Sequence, residues 1–323
     1  MTERRPTPEG VAAAAKRIAP HVVATPILPF EWRGATFWVK AECLQEGGSF
    51  KLRGATNRLL LLSEAERERG VVAFSSGNHA QGVAIAARRL GIRATIVMPA
   101  DAPAVKREAT LAAGAEIVAY ERATQSREEI AARLAAERGA ALVPSFDDVD
   151  VIEGQGSVGI EIGARLGGSP DRVLVPCGGG GLAAGIALAL PEAQVVTVEP
   201  EGWDDMARSL ESGTPVPVRE PAPPTRCDAL QTKLVSPLTL GALRGSGARG
   251  VWVTEAEIEA AMAFAARHLR IVAEPGGAVA LAALLAGKAG PVTERTVVVV
   301  SGGNVDPALY AGILAAQAAE AQR

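Results

Sequence analysis

Four consecutive glycines, Gly178, Gly179, Gly180 and Gly181, join an apolar strand pattern at 172–176 to an apolar helix pattern at 183–190. Each glycine costs roughly 0.5–1 kcal/mol of chain entropy relative to alanine, so such a run needs a reason in bare backbone. Main-chain N–H groups gathered at a helix N-terminus form a nest for an anion, and a phosphate supplies that reason. The same order of short strand, small-residue turn and helix recurs along the chain. Strand 71–74 runs through Ser75-Ser76-Gly77-Asn78-His79 into a helix ending near Leu90, strand 95–98 precedes helix 104–113, and strand 116–120 precedes helix 127–138. Strand 296–300 ends in Ser301-Gly302-Gly303-Asn304. Such alternation predicts an α/β fold, with parallel sheets covered by helices. In parallel sheets ligands lie beyond the carboxyl ends of the strands, which aims Ser301 at a ligand.

Only six lysines occur in 323 residues. Lys51 lies in Gly48-Ser49-Phe50-Lys51-Leu52-Arg53-Gly54-Ala55, between strand 36–40 and a helix at 55–62. An ammonium held against an apolar neighbour such as Phe50 loses hydration and its pKa falls. The neutral amine then forms a Schiff base with a carbonyl cofactor. The alternative is a solvated lysine in a first helical turn. The turn from Ser75 to His79 offers N–H groups to a carboxylate or phosphate, or is simply a well-capped connection. His79 reads as a base or, with more weight, as a hydrogen-bonded structural group.

Two further readings stay open on these residues. Glu199-Pro200-Glu201-Gly202-Trp203-Asp204-Asp205 collects carboxylates that suit a hard divalent cation, or a solvated loop. Gly178-x-Gly180-x-x-Ala183, with Glu199 closing the next strand, also fits a dinucleotide fingerprint and hence an NAD-dependent oxidoreductase. No Gly-Lys-Ser/Thr follows the glycines, which disfavours a nucleoside triphosphate loop.

Elsewhere, Thr7-Pro8-Glu9 starts a helix, Gly154-Gln155-Gly156-Ser157 opens another, 215–225 is a proline-rich excursion, and helices are expected at 255–269 and after Glu274-Pro275-Gly276-Gly277. Net charge is −3 with no basic block, so nothing predicts a nucleic-acid partner. The N-terminus, beginning Met1-Thr2-Glu3, lacks the apolar core of a signal peptide, and no apolar run reaches about 18 residues. A cytoplasmic location is expected, with Cys43, Cys177 and Cys227 as reduced thiols.

Four ordered motifs carry a family resemblance: Lys40-x-Glu42-x-x-Gln45-x-x-Gly48-Ser49-Phe50-Lys51-x-Arg53-Gly54-Ala55, SSGNHAQG, GGGGL and SGGN. Together the chain resembles the threonine dehydratase and serine racemase family of fold-type II pyridoxal-phosphate enzymes, which are tryptophan synthase β-like. The resemblance implies a large cofactor-binding domain (1–69 and 148–323), a small domain (70–147) and a homodimer. It makes Lys51 the Schiff-base lysine and packs Phe50 on the cofactor ring. Gly178, Gly179, Gly180, Gly181 and Leu182 would bind the phosphate, Ser301 the ring nitrogen and Asn78 the ring hydroxyl. Ser75, Ser76, Gly77, Asn78 and His79 would receive the carboxylate of an amino acid substrate, and Ser76 would deliver a proton opposite Lys51. Glu199 and Asp205 match the family's carboxylates for Mg²⁺ or another divalent cation. The resemblance implies β-elimination of a 3-hydroxy amino acid to a 2-oxo acid and ammonia. L-Threonine and L-serine are the first expected substrates, with serine racemase and 3-hydroxyaspartate dehydratase as alternatives. Asp101-Ala102-Pro103-Ala104, Tyr120-x-Arg122 and Arg127-Glu128 resemble the racemase and hydroxyaspartate branch. The chain ends soon after SGGN, so inhibition by isoleucine through a regulatory domain is not expected.

Overall fold

The computed structural model describes residues 4–102 and 104–320, so Met1, Thr2, Glu3, Pro103, Ala321, Gln322 and Arg323 lie outside the described residues. Its strands are β1 (Ile27–Trp32), β2 (Ala35–Ala41), β3 (Val71–Phe74), β4 (Ala94–Pro99), β5 (Glu116–Tyr120), β6 (Ala141–Leu142), β7 (Arg172–Pro176), β8 (Gln194–Pro200), β9 (Arg249–Val253) and β10 (Thr296–Val300). They form a six-stranded sheet in the order β1-β2-β10-β7-β8-β9 and a four-stranded sheet in the order β5-β4-β3-β6. The four-stranded sheet is parallel throughout, as alternating strands and helices require.

β10 is Thr-Val-Val-Val-Val, all five residues are buried, and it pairs in parallel with β2 and β7. A β-branched run of this kind suits a central strand covered on both faces. Side chains alternate between the faces: Val298 and Val300 join one core with Phe37, Leu174 and Val196, whereas Val297 and Val299 join another with Val173, Val175 and Val195. β1 was not expected from the sequence, and it makes the sheet mixed. It pairs antiparallel to β2 across Arg33 and Gly34, whose φ angles of 52° and 76° are both left-handed. Two positive φ values are what a tight two-residue hairpin needs, but Arg-Gly is not the usual signature for it.

Helix Lys51–Leu60 ties the two sheets together. Leu52, Ala55 and Leu59 pack into the core of the four-stranded sheet with Val71, Ala73, Ala80, Val83 and Val151. Just before the helix, the chain is fixed to the end of β10: Phe50 N–H donates to Ser301 O at 3.2 Å and Ser49 bridges to Gly302. Helix Val149–Gln155 crosses Lys51–Leu60 so closely that a Cβ on Gly54 would lie 2.7 Å from Val151 O. That helix was not expected. Gly154-Gln155 closes it instead of opening the next one, which is Ser157–Leu166. The helix expected at 255–269 is α-helical over Glu255–Phe264 and continues as a π-turn over Ala265–Leu269. The 215–225 stretch carries no helix or strand, as expected. No helix among the described residues is long and apolar enough to cross a membrane.

Candidate active site

Lys51 is the first residue of its helix and half-buried. Its Nζ donates to Ser145 O at 2.9 Å and stands 5.2 Å from the centre of the Phe50 ring. Desolvation by burial lowers its pKa to about 8, the shift expected of an ammonium held away from water. The lysine turn is held by ions beneath it. Arg53, fully buried, places Nε 2.8 Å from Glu42 Oε2 and Nη1 2.6 Å from Glu161 Oε1. Buried Lys40 also pairs with Glu161 and donates to Thr25 O at 2.9 Å. Burial works against the Glu42 carboxylate, but Arg53 and Lys40 hold its pKa below the usual range. Lys40, Glu42 and Arg53 of the first motif thus form one buried network.

Ser75, Ser76 and Gly77 make a half-buried turn from the end of β3 into helix Asn78–Leu90. Ser75 Oγ accepts the Gly77 N–H at 3.1 Å. Asn78 is buried and its amide is oriented from both sides: Nδ2 donates to Glu274 Oε1 at 2.5 Å, and Oδ1 accepts from Asn304 Nδ2 at 2.8 Å. His79 lies with Nε2 2.8 Å from Val143 O. A carbonyl only accepts, so Nε2 carries the proton and Nδ1, buried without a partner among the described residues, is the free acceptor. Burial first, then the charge of Lys51, push the His79 pKa down to about 3. The lowered pKa and the bond to Val143 O both favour the hydrogen-bonded structural reading of His79 over that of a base.

Gly178, Gly179 and Gly180 follow β7, and helix Gly181–Ala189 starts at the fourth glycine, with Leu182 in its first turn. None of the N–H groups of residues 178–182 donates to another described main-chain group. Side chains are excluded from the loop: a Cβ on Gly179 would lie 2.3 Å from the Phe146 ring, and Gly180 has φ +85°. Ser301, 5% exposed, directly follows β10. The loop therefore offers an anion cradle at a helix N-terminus, next to a desolvated amine and a serine at a strand end. These residues fit a carbonyl cofactor bearing a phosphate.

Glu199 and Asp205 are brought together elsewhere. Both are fully buried, so the solvated-loop reading fails for these two carboxylates, while Glu201 between them is exposed. Glu199 accepts the N–H groups of Met206 and Ala207, each at 2.8 Å, and caps helix Asp205–Ser212. Its carboxylate faces inward and is engaged with that helix, which removes it as the ribose acid of a dinucleotide site. Both Asp205 carboxylate oxygens are buried with no partner among the described residues. Burial, then Asp205, raise the Glu199 pKa well above the carboxylate range, and burial raises that of Asp205 to about 7. The two acids act on Cys177, just before the glycine loop, so the pair lies behind the loop. No group of three or more His, Cys, Asp or Glu residues arranged to hold a metal occurs among the described residues. All three cysteines are free and buried.

Sequence reasoning missed Glu274, Ser145 and Phe146 as site residues. Glu274 caps helix Pro275–Leu285 in sequence, yet its side chain makes no cap bond and turns instead to Asn78. Burial, then the charge of Asp228, raise its pKa to about 7. A glutamate before Pro-Gly-Gly reads as a helix start, and only the fold brings it to Asn78.

The family described as "Pyridoxal-phosphate dependent enzyme" matches residues 18–303. The chain is 40% identical to L-threo-3-hydroxyaspartate ammonia-lyase of Saccharomyces cerevisiae over 317 residues, covering 96% of each. It is 42% identical to L-threo-3-hydroxyaspartate ammonia-lyase of a Pseudomonas species over 312 residues, 94% of this chain and 97% of the relative. The solved structure of maize serine racemase superposes with a TM-score of 0.89 at 32% identity, covering 99% of this chain and all of that one. The motif order, the two-sheet architecture and these likenesses agree: the chain belongs to the pyridoxal-phosphate dependent enzyme family, with the fold-type II architecture.

Proposed function

We propose that this protein is a pyridoxal-phosphate-dependent 3-hydroxyaspartate ammonia-lyase, which converts its substrate to ammonia and oxaloacetate. The observation that carries this reading is the 40% and 42% identity, over nearly the whole chain, to two relatives of that activity. It displaces threonine and serine as first substrates, because the sequence motifs describe the cofactor site and leave the substrate's side chain unspecified.

When bound, the cofactor supplies an electron sink for the charge left on the substrate's α-carbon. In the proposed assignment Lys51 would hold the cofactor at rest and, once the substrate's amine has taken its place, its freed neutral amine would accept the α-proton, a role its pKa of about 8 supports. The N–H groups of Gly178, Gly179, Gly180, Gly181 and Leu182 would hold the phosphate, with Phe50, Ser301 and Asn78 as the side chains that would hold the ring. The N–H groups from Ser75 to His79 hold the substrate's α-carboxylate at the helix N-terminus. By the family resemblance Ser76 would stand on the side opposite Lys51. That arrangement, with the likeness to a serine racemase, supports a second reading in which Ser76 returns a proton and inverts serine.

Release of 2-oxo acid from L-threo-3-hydroxyaspartate, L-threonine and L-serine by the cofactor-loaded protein tests the proposal. Turnover of 3-hydroxyaspartate at least tenfold more efficient than that of the other two is expected, and is lost in Lys51→Ala. A preference for threonine or serine would overturn it. Inversion of serine without oxo acid would establish the second reading.

Glu199 and Asp205 are proposed to face a divalent cation, which the Asp205 oxygens, without a hydrogen-bond partner among the described residues, support. Millimolar Mg²⁺ is expected to raise the melting temperature of the wild type and not that of Asp205→Asn. Equal responses in the two would leave the pair as a proton-sharing structural element.

A further inference from the structure

This inference rests on the hydroxyaspartate reading, because that substrate carries a second carboxylate that serine and threonine lack. The site as assigned has places for the α-carboxylate and the cofactor's phosphate but none for the second carboxylate. Near Asn78 the surroundings are already acidic, since buried Glu274 lies within reach of the charge of Asp228. A second anion entering there needs a cation.

Lys106 is placed to be that cation. It extends from helix Ala104–Ala112, beside the four-stranded sheet, to pair with Asp228 on the turn Asp228–Leu230. That turn roofs the site. A Cβ on Gly178 would meet Leu230 Cα at 3.2 Å and Thr232 Oγ1 at 3.1 Å, and one on Gly276, two residues after Glu274, would meet Leu230 Cγ at 3.2 Å. Lys106 and Asp228 therefore close the rim between the glycine loop and the Glu274–Asn78 pair.

The ion pair is unequal. The Lys106 side chain is 16% exposed and that of Asp228 is 51% exposed. If the pair opens, the acid returns to water at little cost, whereas the ammonium stays enclosed and needs another anion. A flexible four-carbon stem ending in a point charge lets the ammonium change partner without moving the backbone. Other cations of this region are differently engaged: Arg122 pairs with Asp101, and Arg127 lies 5.6 Å over the Phe74 ring and pairs with Glu128.

We propose that Lys106 binds the side-chain carboxylate of the substrate, and that Asp228 holds the ammonium in the cleft until a dicarboxylate takes its place. The exchange swaps one carboxylate for another, so its driving force is the difference in their exposure and geometry. A monocarboxylate leaves the pair closed, and selectivity follows. Asp228 competes with the substrate, so removing either partner moves selectivity in opposite directions.

The test measures kcat/KM for L-threo-3-hydroxyaspartate and L-serine with the cofactor-loaded protein. Lys106→Met is expected to lower the ratio of the two about tenfold, or roughly 1.4 kcal/mol. Lys106→Arg keeps most of the preference, and Asp228→Asn raises the ratio. Titration with L-aspartate and L-alanine, which have no β-hydroxyl to lose, followed by the cofactor's visible absorption, should show the same pattern in affinity. Equal changes for both substrates in Lys106→Met and Asp228→Asn would mark a mere latch between the two parts of the molecule and overturn the proposal. So would a loss of dicarboxylate preference in Arg127→Met with none in Lys106→Met. A wild type active on serine and inactive on 3-hydroxyaspartate sinks the functional reading and this inference with it. A dicarboxylate preference that survives Lys106→Met sinks the inference alone.

Discussion

Lys51 has no acid among the causes of its shift, and desolvation alone brings its pKa to about 8. An ordinary lysine near 10.5 is almost wholly protonated at neutral pH and is a poor nucleophile. The neutral form is populated as pH rises through the lowered value. Capture of pyridoxal phosphate by cofactor-free protein is therefore expected to accelerate up to about pH 8 and then level off, as followed by the rise of visible absorbance in stopped flow. A rate still climbing steeply at pH 9.5 would mean that the amine is solvated. Lys51 and its flanking glycines stand out in the sequence because the chemistry proposed for them restricts residue type at a turn. Glu274 does not, since its meaning lies in a contact with Asn78 that spans nearly two hundred positions.

At the scale of an element, helix Lys51–Leu60 owes its position to Arg53 as much as to its apolar face. Arg53 is 0% exposed, and both carboxylates it pairs with come from other elements, Glu42 after β2 and Glu161 on helix Ser157–Leu166. Removing one member of a buried ion network leaves its partners uncompensated, at a cost of about 3–5 kcal/mol. Arg53→Met is expected to lower stability by that amount in urea denaturation and to weaken cofactor retention, because the lysine turn loses its anchor. A loss below about 1 kcal/mol would show that apolar packing alone fixes the helix. The sequence placed Lys40, Glu42 and Arg53 in one motif, but their joining into a single cluster with Glu161 required the fold.

Over the whole molecule, we propose the division into a small unit at 70–147 and a large unit from the rest, with one qualification. The core of the four-stranded sheet also draws on Leu52, Ala55, Leu59 and Val151, which lie outside that range. A polypeptide of residues 70–147 alone would expose the surface those side chains cover, and a domain of this size has little stability to spare. It is expected to lack dispersed amide resonances in NMR spectra, whereas a polypeptide of 49–156 gains structure. A well-folded 70–147 fragment would show that the two parts are energetically independent. Lys51 sits on a helix whose body packs with one sheet and whose start is bonded to the other, so a displacement of one sheet against the other would act on the lysine turn.

By itself the sequence determined the α/β class, most parallel strands and the motifs on which the proposed cofactor site rests. Those features follow from local physics: β-branched runs, helical periodicity, and glycines where a backbone must stay bare. Only the tertiary structure decided that β1 folds back as an antiparallel hairpin, that Glu199 and Asp205 are buried behind the glycine loop, that burial lowers the His79 pKa, that Glu274 bonds Asn78, and that Lys106 pairs with Asp228. Each of these depends on burial or on a partner distant in the chain, and neither is encoded in the spacing of neighbouring residues.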